Sequence, residues 1–141
     1  MTPVRILLVE DDRGDIRLTQ EALVDSDIDH SLNVVRDGAE ALDYLYQRGR
    51  FAQALPPNII LLDLNLPGKH GHEVLQQIKS DDALKHIPVI VLSTSDNIID
   101  VQASYRLYAN SYVTKPEDFD GFKATIQVIE NFWFDTAQLP G

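Results

Sequence analysis

Short, mostly apolar runs alternate with amphipathic stretches along the whole chain. Near-continuous apolar runs of this length are typical of strands that are buried on both faces of a parallel sheet. The stretches between them place apolar residues three and four positions apart, which predicts helices that bury one face. The predicted strands are 4–9, 32–35, 59–62, 89–92 and 111–114.

Five helices are predicted between and after these strands. They cover 13–24, a segment from the Asp37-Gly38 turn to a stop at Gly49, 71–79, 96–108 and a long last helix at 119–134. Asp12 is the predicted N-cap of the first helix, and Asp15 suits the positive end of the helix dipole in its first turn. Glycine favours the left-handed conformation that ends many helices, so Gly49 is expected to end the second one.

Regular alternation of strand and helix implies a parallel sheet with helices on both faces. The predicted fold class is α/β, a three-layer α/β/α sandwich around a five-stranded parallel sheet. In the flavodoxin-like form of this fold the strand order is 2-1-3-4-5. That order places the carboxyl ends of the first and third strands side by side, at the point of the sheet where ligands bind.

Composition narrows the possible functions. With 141 residues, 44% hydrophobic and 24% charged, the chain suits one ordinary globular domain. The formal net charge of −10 argues against nonspecific binding to nucleic acid or anionic lipid. The absence of cysteine excludes disulfides and thiolate metal sites. We expect a cytoplasmic protein with no membrane span, since neither a long apolar run nor the layout of a signal peptide occurs.

Three carboxylates stand at the carboxyl ends of two predicted strands. Glu10 and Asp11 follow the first strand, and Asp63 follows the third. If these strands are neighbours, the acids converge and repel one another unless a cation lies among them. Oxygen ligands suit Mg²⁺, which keeps several waters and often binds phosphate as well. The sequence therefore predicts a magnesium site at this edge of the sheet.

Two further polar side chains follow the fourth and fifth strands. Ser93 comes at the end of the fourth strand, and Lys115 directly after the fifth. A hydroxyl donor, an ammonium and a bound cation can together hold a phosphoryl group. Asp63, in the middle of the predicted cleft, is the natural nucleophile, and its attack on phosphorus would give an acyl phosphate.

Four sequence motifs, in this order and spacing, resemble those of the receiver domains of two-component response regulators. They are LVED at 8–11, LDLNLPG at 62–68, LST at 92–94 and YVTKP at 112–116. The resemblance covers nearly the whole chain and implies a CheY-like receiver fold. It also implies a signalling role rather than that of an enzyme, in which a sensor histidine kinase passes a phosphoryl group to the chain.

The resemblance gives each candidate site residue a role. The implied roles are phosphorylation at Asp63, magnesium binding by Glu10, Asp11, Asp63 and the backbone carbonyl of Asn65, switching by Ser93 and Tyr112, and phosphate sensing by Lys115. The surface of the fourth helix, fifth strand and fifth helix is expected to change on phosphorylation. The family also leads us to expect a cis peptide bond before Pro116.

Two positions depart from the family pattern. Receivers often have glycine where this chain has Tyr108, so a left-handed end to the fourth helix is not expected here. The switch hydroxyl is Ser93 rather than the commoner threonine. Serine can still donate, but it lacks the methyl group that restricts the rotamer of threonine.

The end of the chain is similar to the tails of cyanobacterial phytochrome response regulators. The similar segments are IENFWF at 129–134 and TAQLP at 136–140. Members of that group are stand-alone receivers that pair with a light-sensing histidine kinase. The similarity implies a phytochrome as the partner, and a single receiver domain over 1–141 with no output domain.

The last predicted helix carries more apolar residues than one buried face needs. The residues of one buried stripe at helical spacing are Phe122, Ile126, Ile129 and Trp133. Val128 and Phe132 form a second stripe, offset from the first, and Phe134 adds to it. A well-covered core is one explanation. The alternative is an exposed apolar patch that pairs with a second copy, which predicts a homodimer with Val128, Phe132 and Phe134 at its interface.

Two other functions fit parts of this pattern. A Mg²⁺-dependent phosphohydrolase also uses an Asp nucleophile on an α/β fold, but such enzymes often carry a second Asp where this chain has Asn65. A flavodoxin-like cofactor protein needs a phosphate-binding loop after the first strand, where acidic residues here would repel phosphate. His70 and His72 have a spacing that can bind zinc, but no third ligand lies near them in sequence, which favours an exposed loop.

Overall fold

The computed structural model describes residues 3–140, in which five strands alternate with helices in the predicted order. The strands are β1 (Val4–Val9), β2 (His30–Val35), β3 (Ile59–Leu62), β4 (Val89–Ser93) and β5 (Ser111–Thr114). The helices are α1 (Arg13–Val24), α2 (Gly38–Leu45), α3 (Gly71–Ser80), α4 (Ile98–Arg106) and α5 (Phe119–Ile129). A short 3₁₀ helix (Gly49–Phe51) follows α2, and a π-helical segment (Glu130–Thr136) continues α5.

The strands form one parallel sheet in the order β2-β1-β3-β4-β5. This confirms the predicted fold class and strand order. Parallel neighbours need a crossover connection, and here each crossover is a helix packed on the sheet. β1 and β3 lie side by side where the direction of strand addition reverses, so the residues that follow them meet at one edge.

Side chains of the strands alternate between two cores, one on each face of the sheet. Leu7 and Ile60 belong to the core beneath α2 and α3. Ile6 and Ile59 belong to the core beneath α1 and α5. Because successive side chains point to opposite faces, all four residues of β3 are buried, as its unbroken aliphatic run predicts.

Every α-helix begins at a residue whose side chain accepts a backbone N–H from its own first turn. These caps are Asp12, Asp37, His70, Asn97 and Asp118. Each cap satisfies one of the N–H groups that a helix start leaves without a partner. The loops between the strand ends and the helices, which carry the candidate site, therefore have fixed ends. The predicted cap at Asp12 is confirmed.

The helices α2 and α4 end at left-handed residues other than glycine. Gln47 has a φ of 55° and Tyr108 a φ of 70°. The N–H groups of Tyr108 and of the next residue donate to the carbonyls of Tyr105 and Ser104, each at 3.0 Å, as in a Schellman motif. The predictions that Gly49 ends α2 and that Tyr108 prevents a left-handed end are therefore wrong. Hydrogen bonds to the last carbonyls outweigh the steric cost of a Cβ atom.

The last helix changes its winding at residue 130, whereas the sequence predicted one continuous helix to residue 134. The segment Glu130–Thr136 is π-helical, with bonds five residues apart. An α-helix would bring Trp133 to the buried face one turn after Ile129, and π winding brings Phe134 there instead. Phe134 is 9% exposed and packs in the core with α1 and α5, while Trp133 is half-buried. The prediction that Phe134 belongs to an exposed patch is therefore wrong.

Other apolar side chains remain exposed on the helical segments that precede and follow the edge strand β5 in the chain. On α5 and the segment after it, Val128 is 67% exposed and Phe132 is 52% exposed. At α4 and its C-terminal turn the exposed apolar residues are Ile98, Ile99, Tyr105 and Tyr108. We call these six residues the edge patch.

Two further expectations concern the backbone and the helices. No peptide bond in the described residues 3–140 is cis, so the cis form expected before Pro116 is not found. The trans form is also the one that an X–Pro bond prefers intrinsically. None of the helices in the same range is both long and apolar enough to cross a membrane.

Candidate functional site

Three carboxylates meet beyond the carboxyl ends of β1 and β3. One oxygen from each of Glu10, Asp11 and Asp63 lies within 4.8 Å of the others. The Glu10 N–H donates to the carbonyl of Val35, and the Asp63 N–H to that of Val9, each at 3.0 Å. Glu10 and Asp63 are buried, while Asp11 is exposed. The cluster therefore has a side fixed by the sheet and a side open to solvent.

The donor set of this cluster fits a hard divalent cation. All three side chains offer oxygen, which Mg²⁺ prefers, and the exposed Asp11 leaves room for the waters that Mg²⁺ retains. Asn65, expected to add a backbone carbonyl, lies exposed in the loop two residues after Asp63. Carboxylates this close repel one another unless positive charge lies among them. A divalent cation would supply that charge.

The Lys115 side chain lies against the acidic cluster and is 5% exposed. Its Nζ donates to Glu10 Oε2 at 2.5 Å and to Asp15 Oδ2 at 2.9 Å. The same nitrogen lies 3.6 Å from Asp63 Oδ1, which is an ion-pair distance but too long for a hydrogen bond. The Lys115 backbone N–H donates to the Ser93 carbonyl at 2.7 Å. The end of β5 thus holds an ammonium beside the Asp63 carboxylate.

Burial and pairing act in opposite directions on the two most buried charges. Burial raises the pKa of Glu10 to about 7, against the lowering effect of the Lys115 ammonium. Burial lowers the pKa of Lys115, but the hydrogen bond and charge of Glu10 outweigh it and raise that pKa to about 12. Lys115 is therefore a cation at neutral pH. The charged form of Glu10 depends on positive charge beside it.

Ser93 and Tyr112 lie on the two strands next to the cluster and are tied to the same loop residue. Ser93 is fully buried at the end of β4, and its hydroxyl oxygen accepts the Ser95 N–H at 3.2 Å. Tyr112 is half-buried in β5, and its hydroxyl donates to the Ser95 carbonyl at 2.7 Å. The loop between β4 and α4 is thus linked to both side chains.

The loop after Asp63 returns to the sheet through a close backbone contact at Gly71. The Gly71 N–H donates to the Leu64 carbonyl at 2.9 Å. A Cβ atom on Gly71 would lie 2.5 Å from the Asp63 carbonyl oxygen and 2.6 Å from the Leu64 Cα. Because both of these are backbone atoms, only glycine lets α3 begin so near. The contact helps to fix the backbone that carries Asp63.

The sequence suggested an exposed loop for His70 and His72. His70 is exposed and precedes α3 as its N-cap, whereas His72 lies in the first turn of α3. His70 caps the helix through its ring Nδ1, which accepts the His72 N–H at 3.1 Å. His72 is half-buried, and its Nε2 lies 2.9 Å from the Ser104 hydroxyl oxygen on α4. Burial first, and then the nearby His70, lower the pKa of His72. The pair therefore contributes to the packing of α3 on α4.

The charged residues singled out in the sequence form one cluster, with Ser93 and Tyr112 on the adjacent strands. Asp15 also contacts this cluster, although the sequence indicated only a role at the helix dipole. The available signal was its position four residues after Asp11, in the first turn of the helix that follows the acidic residues. The contact of Gly71 had no such signal, because it depends on how α3 returns to the sheet.

Comparisons with known proteins agree on one family. A family model described as the response regulator receiver domain matches residues 6–127. The response regulator Rcp1 of Synechocystis sp. is 51% identical over 138 residues, which span 98% of this chain and 94% of Rcp1. The range matched by the family model contains the acidic cluster, Ser93, Tyr112 and Lys115.

Solved structures resemble this chain over its full length. The crystal structure of the phosphorylated cyanobacterial phytochrome response regulator RcpA has a TM-score of 0.96 and 51% sequence identity, with 99% of this chain and 100% of that chain covered. The crystal structure of the Mn²⁺-bound form of Rcp1 has a TM-score of 0.95 and 50% identity, with the same coverage. The likeness therefore includes the tail beyond the matched domain.

Proposed function

Because the chain belongs to the response regulator receiver domain family, we propose that it accepts a phosphoryl group on Asp63 from the phosphohistidine of a sensor kinase. The observation that carries this proposal is the cluster of Glu10, Asp11 and Asp63, with the Lys115 ammonium 3.6 Å from an Asp63 oxygen. Within residues 3–140 this is the one group of three or more such side chains that is close enough to share a metal ion.

The transfer step follows from the chemistry of Asp63. A carboxylate oxygen attacks phosphorus and forms a P–O bond, while the P–N bond to the kinase imidazole breaks. The electron pair of the P–N bond returns to the imidazole nitrogen, which takes up a proton. The products are an aspartyl phosphate and a free histidine. The Lys115 ammonium stabilises the negative charge on the phosphoryl oxygens as the bonds exchange.

Glu10, Asp11 and Asp63, with the backbone carbonyl of Asn65, would hold a Mg²⁺ ion beside the acceptor. When bound, the ion supplies positive charge that neutralises phosphoryl oxygens. The crystallisation of Rcp1 in a Mn²⁺-bound form supports a divalent cation at this position. The convergence of three carboxylate oxygens within 4.8 Å of one another, beside one ammonium, that of Lys115, supports it as well.

The response to phosphorylation begins at Ser93 and Lys115. A phosphoryl group adds about −1.5 to −2 of charge and three strong acceptor oxygens. The Ser93 hydroxyl leaves the Ser95 N–H and turns toward these oxygens, and the Tyr112 ring moves into the space released. The loop before α4 then loses its links to Ser93 and Tyr112, so the surface of α4, β5 and α5 changes. A nearly complete switch needs about 5.5 kcal/mol of differential stabilisation.

We infer that the partner kinase is a phytochrome. The support is the likeness to RcpA, a cyanobacterial phytochrome response regulator, at a TM-score of 0.96 over 99% of this chain. In this proposal the chain is a single receiver domain that works in the cytoplasm with its kinase. Its product is a signal state, so it is not an enzyme with an independent substrate.

We also propose that two copies pair through the edge patch. The patch belongs to α4, α5 and the segments that follow them, which come directly before and after the edge strand β5 and are expected to respond to phosphorylation. Six exposed apolar residues on an acidic protein favour contact with another apolar surface, and the same patch on a second copy of the chain offers one. An isologous dimer would bury the patch of each copy against the other.

Mass spectrometry after treatment with acetyl phosphate and Mg²⁺ tests the acceptor. The wild type should gain one phosphoryl group, and Asp63→Asn should gain none. Asp82→Asn is the matched control, because it removes an exposed carboxylate that pairs with Lys85, away from the cluster, and it should label as the wild type does. Labelling of Asp63→Asn at the wild-type level would remove the assignment.

Two further assays address the partner and the alternative function. A phosphorylated phytochrome kinase should transfer its phosphoryl group to this chain faster than a histidine kinase from another sensor class does. Equal rates would count against the phytochrome. Repeated turnover of a small phosphate ester would favour the phosphohydrolase instead.

A further inference from the structure

Asp15 is a fourth carboxylate at the site, in the first turn of α1. Its Oδ2 accepts a hydrogen bond from Lys115 Nζ at 2.9 Å. The side chain is 27% exposed, so it lies between the buried cluster and solvent. Another negative charge near a phosphoryl-binding centre is unfavourable by itself. Its place there therefore suggests an effect that acts through Lys115.

The backbone of Asp15 is held from both sides. Its N–H donates to Asp12 Oδ1, the N-cap acceptor, at 2.9 Å. Its carbonyl accepts the hydroxyl of Thr19 at 2.8 Å, and Thr19 is 1% exposed. With the backbone fixed, only the side-chain torsions of Asp15 remain, and the hydrogen bond to Lys115 holds the carboxylate in one rotamer. Asp15 is thus a rigid acceptor on one side of Lys115.

The Lys115 ammonium has three N–H donors and three carboxylates around it. Two donors are used by Glu10 at 2.5 Å and Asp15 at 2.9 Å. Asp63 lies 3.6 Å away, so its oxygens are not hydrogen-bonded to the ammonium. If the acceptor at Asp15 were absent, the ammonium would keep its bond to Glu10 but could turn a free N–H toward Asp63, whose carboxylate also lies within 4 Å of it. A hydrogen bond there would occupy the lone pair that attacks phosphorus.

We propose that Asp15 is a positioning residue, which holds the Lys115 ammonium beside the Asp63 carboxylate but not on it. This inference rests on the proposed function of Asp63. The arrangement leaves Asp63 free to attack and keeps the third donor of Lys115 for the arriving phosphoryl oxygens. Asp15 itself does not contact the reacting atoms.

The rate of phosphorylation by acetyl phosphate at saturating Mg²⁺ tests the proposal in the full chain. Asp15→Asn should slow this rate by about fivefold, because a neutral acceptor holds an ammonium less firmly. Glu21→Gln is the matched control, since it also removes an ion-paired carboxylate from α1 but its partner is Arg17. That variant should react at the wild-type rate. Asp15→Ser, which keeps a small polar residue in the first turn, should be slow as well.

A double-variant comparison separates positioning from a general structural effect. If Asp15 acts through Lys115, Asp15→Asn should produce no further slowing in a Lys115→Ala background. A loss that is equally large in both backgrounds would overturn the proposal, because it would not depend on the ammonium.

Two other outcomes would also overturn it. An unchanged rate in Asp15→Asn would mean that Lys115 needs no anchor, and a faster rate would mean that Asp15 only repels the phosphoryl group. Labelling of Asp63→Asn at the wild-type level would instead contradict the proposed function. If Asp63→Asn does not label and Asp15→Asn reacts normally, this inference alone fails.

Discussion

Tyr108 and Gln47 hold left-handed backbone conformations, with φ of 70° and 55°. The left-handed region costs an L-residue about 1–2 kcal/mol. Both residues complete hydrogen bonds to the last carbonyls of a helix, which accounts for the conformation without glycine. The Tyr108 side chain is 74% exposed, so little packing compensates for the backbone at that position.

Tyr108→Gly should therefore raise the free energy of unfolding. Glycine relieves the backbone strain, but it also loses more conformational entropy on folding, which costs about 0.5–1 kcal/mol. Because the strain is larger than this cost, the free energy of unfolding should rise by a net amount of about 0.5–1 kcal/mol. The midpoint of urea denaturation measures the change. Tyr108→Ala keeps a Cβ atom and should gain nothing. Gln47→Gly should gain less than Tyr108→Gly, because it also loses the hydrogen bond from the Gln47 side chain to the Ala54 carbonyl at 2.7 Å. An equal gain in Tyr108→Ala would show that the tyrosine side chain, and not the backbone, is responsible.

At the scale of single residues, the sequence identified those whose chemistry is unusual for their position. Asp63 and Lys115 stand out because charged residues directly follow strands, where burial is costly without a partner. Asp15 did not stand out, since an acid in the first turn of a helix is common for local reasons. Its contact with Lys115 spans 100 positions in the sequence, so the spacing from Asp11 hints at the cluster, but the bond to Lys115 is seen only in the folded chain.

At the scale of elements, regular periodicity was predictable and changes of winding were not. The bounds of β1, α1, β3 and β5 agree with the prediction because apolar runs and caps mark them. The π-helical segment Glu130–Thr136 was missed because α-helical spacing was assumed throughout the last helix. Because each hydrogen-bonded loop of the π-helix contains one more residue, Phe134 becomes a buried core residue and Trp133 packs against the same core only partly buried.

The junction of α3 with β3 provides a test of how an element positions the site. Gly71→Ala should destabilise the fold by about 1–3 kcal/mol, because a Cβ atom would lie 2.5 Å from the Asp63 carbonyl oxygen. The displaced backbone should also slow phosphorylation of the folded fraction. Thermal unfolding and the acetyl phosphate assay measure the two effects.

Gly14→Ala is the control for the glycine change itself. A Cβ atom on Gly14 would lie 3.1 Å from a side-chain oxygen of Asp12, which can shift more easily than backbone. That oxygen also caps α1 by accepting the Asp15 N–H, so this variant should lose some stability, but less than Gly71→Ala, whose Cβ meets backbone atoms. If Gly71→Ala were as stable and as reactive as the wild type, the close approach of α3 would not matter for Asp63.

At the scale of the whole molecule, topology was the most predictable property. Alternating strands and helices allow few arrangements, and the order β2-β1-β3-β4-β5 then brings distant acids to one edge. Surface properties are harder to derive, because an apolar residue on a helix is exposed or buried according to its neighbours. The edge patch combines exposed apolar residues with a net charge of −10 for the chain. These two features have opposite effects on pairing of two copies.

Sedimentation equilibrium at several salt concentrations tests the proposed dimer. The apolar edge patch favours association, while two chains of net charge −10 repel each other, so pairing should strengthen as salt screens the repulsion. Phe132→Ala should weaken the dimer about tenfold or more, since aromatic side chains dominate many interfaces. Phe132 is 52% exposed in one copy, so its loss should leave the fold intact.

Val24→Ala, which truncates a 77% exposed residue on α1, is the control and should dimerise as the wild type does. A wild type that stays monomeric at all salt concentrations, or a Phe132→Ala variant of unchanged affinity, would exclude the edge patch as the interface.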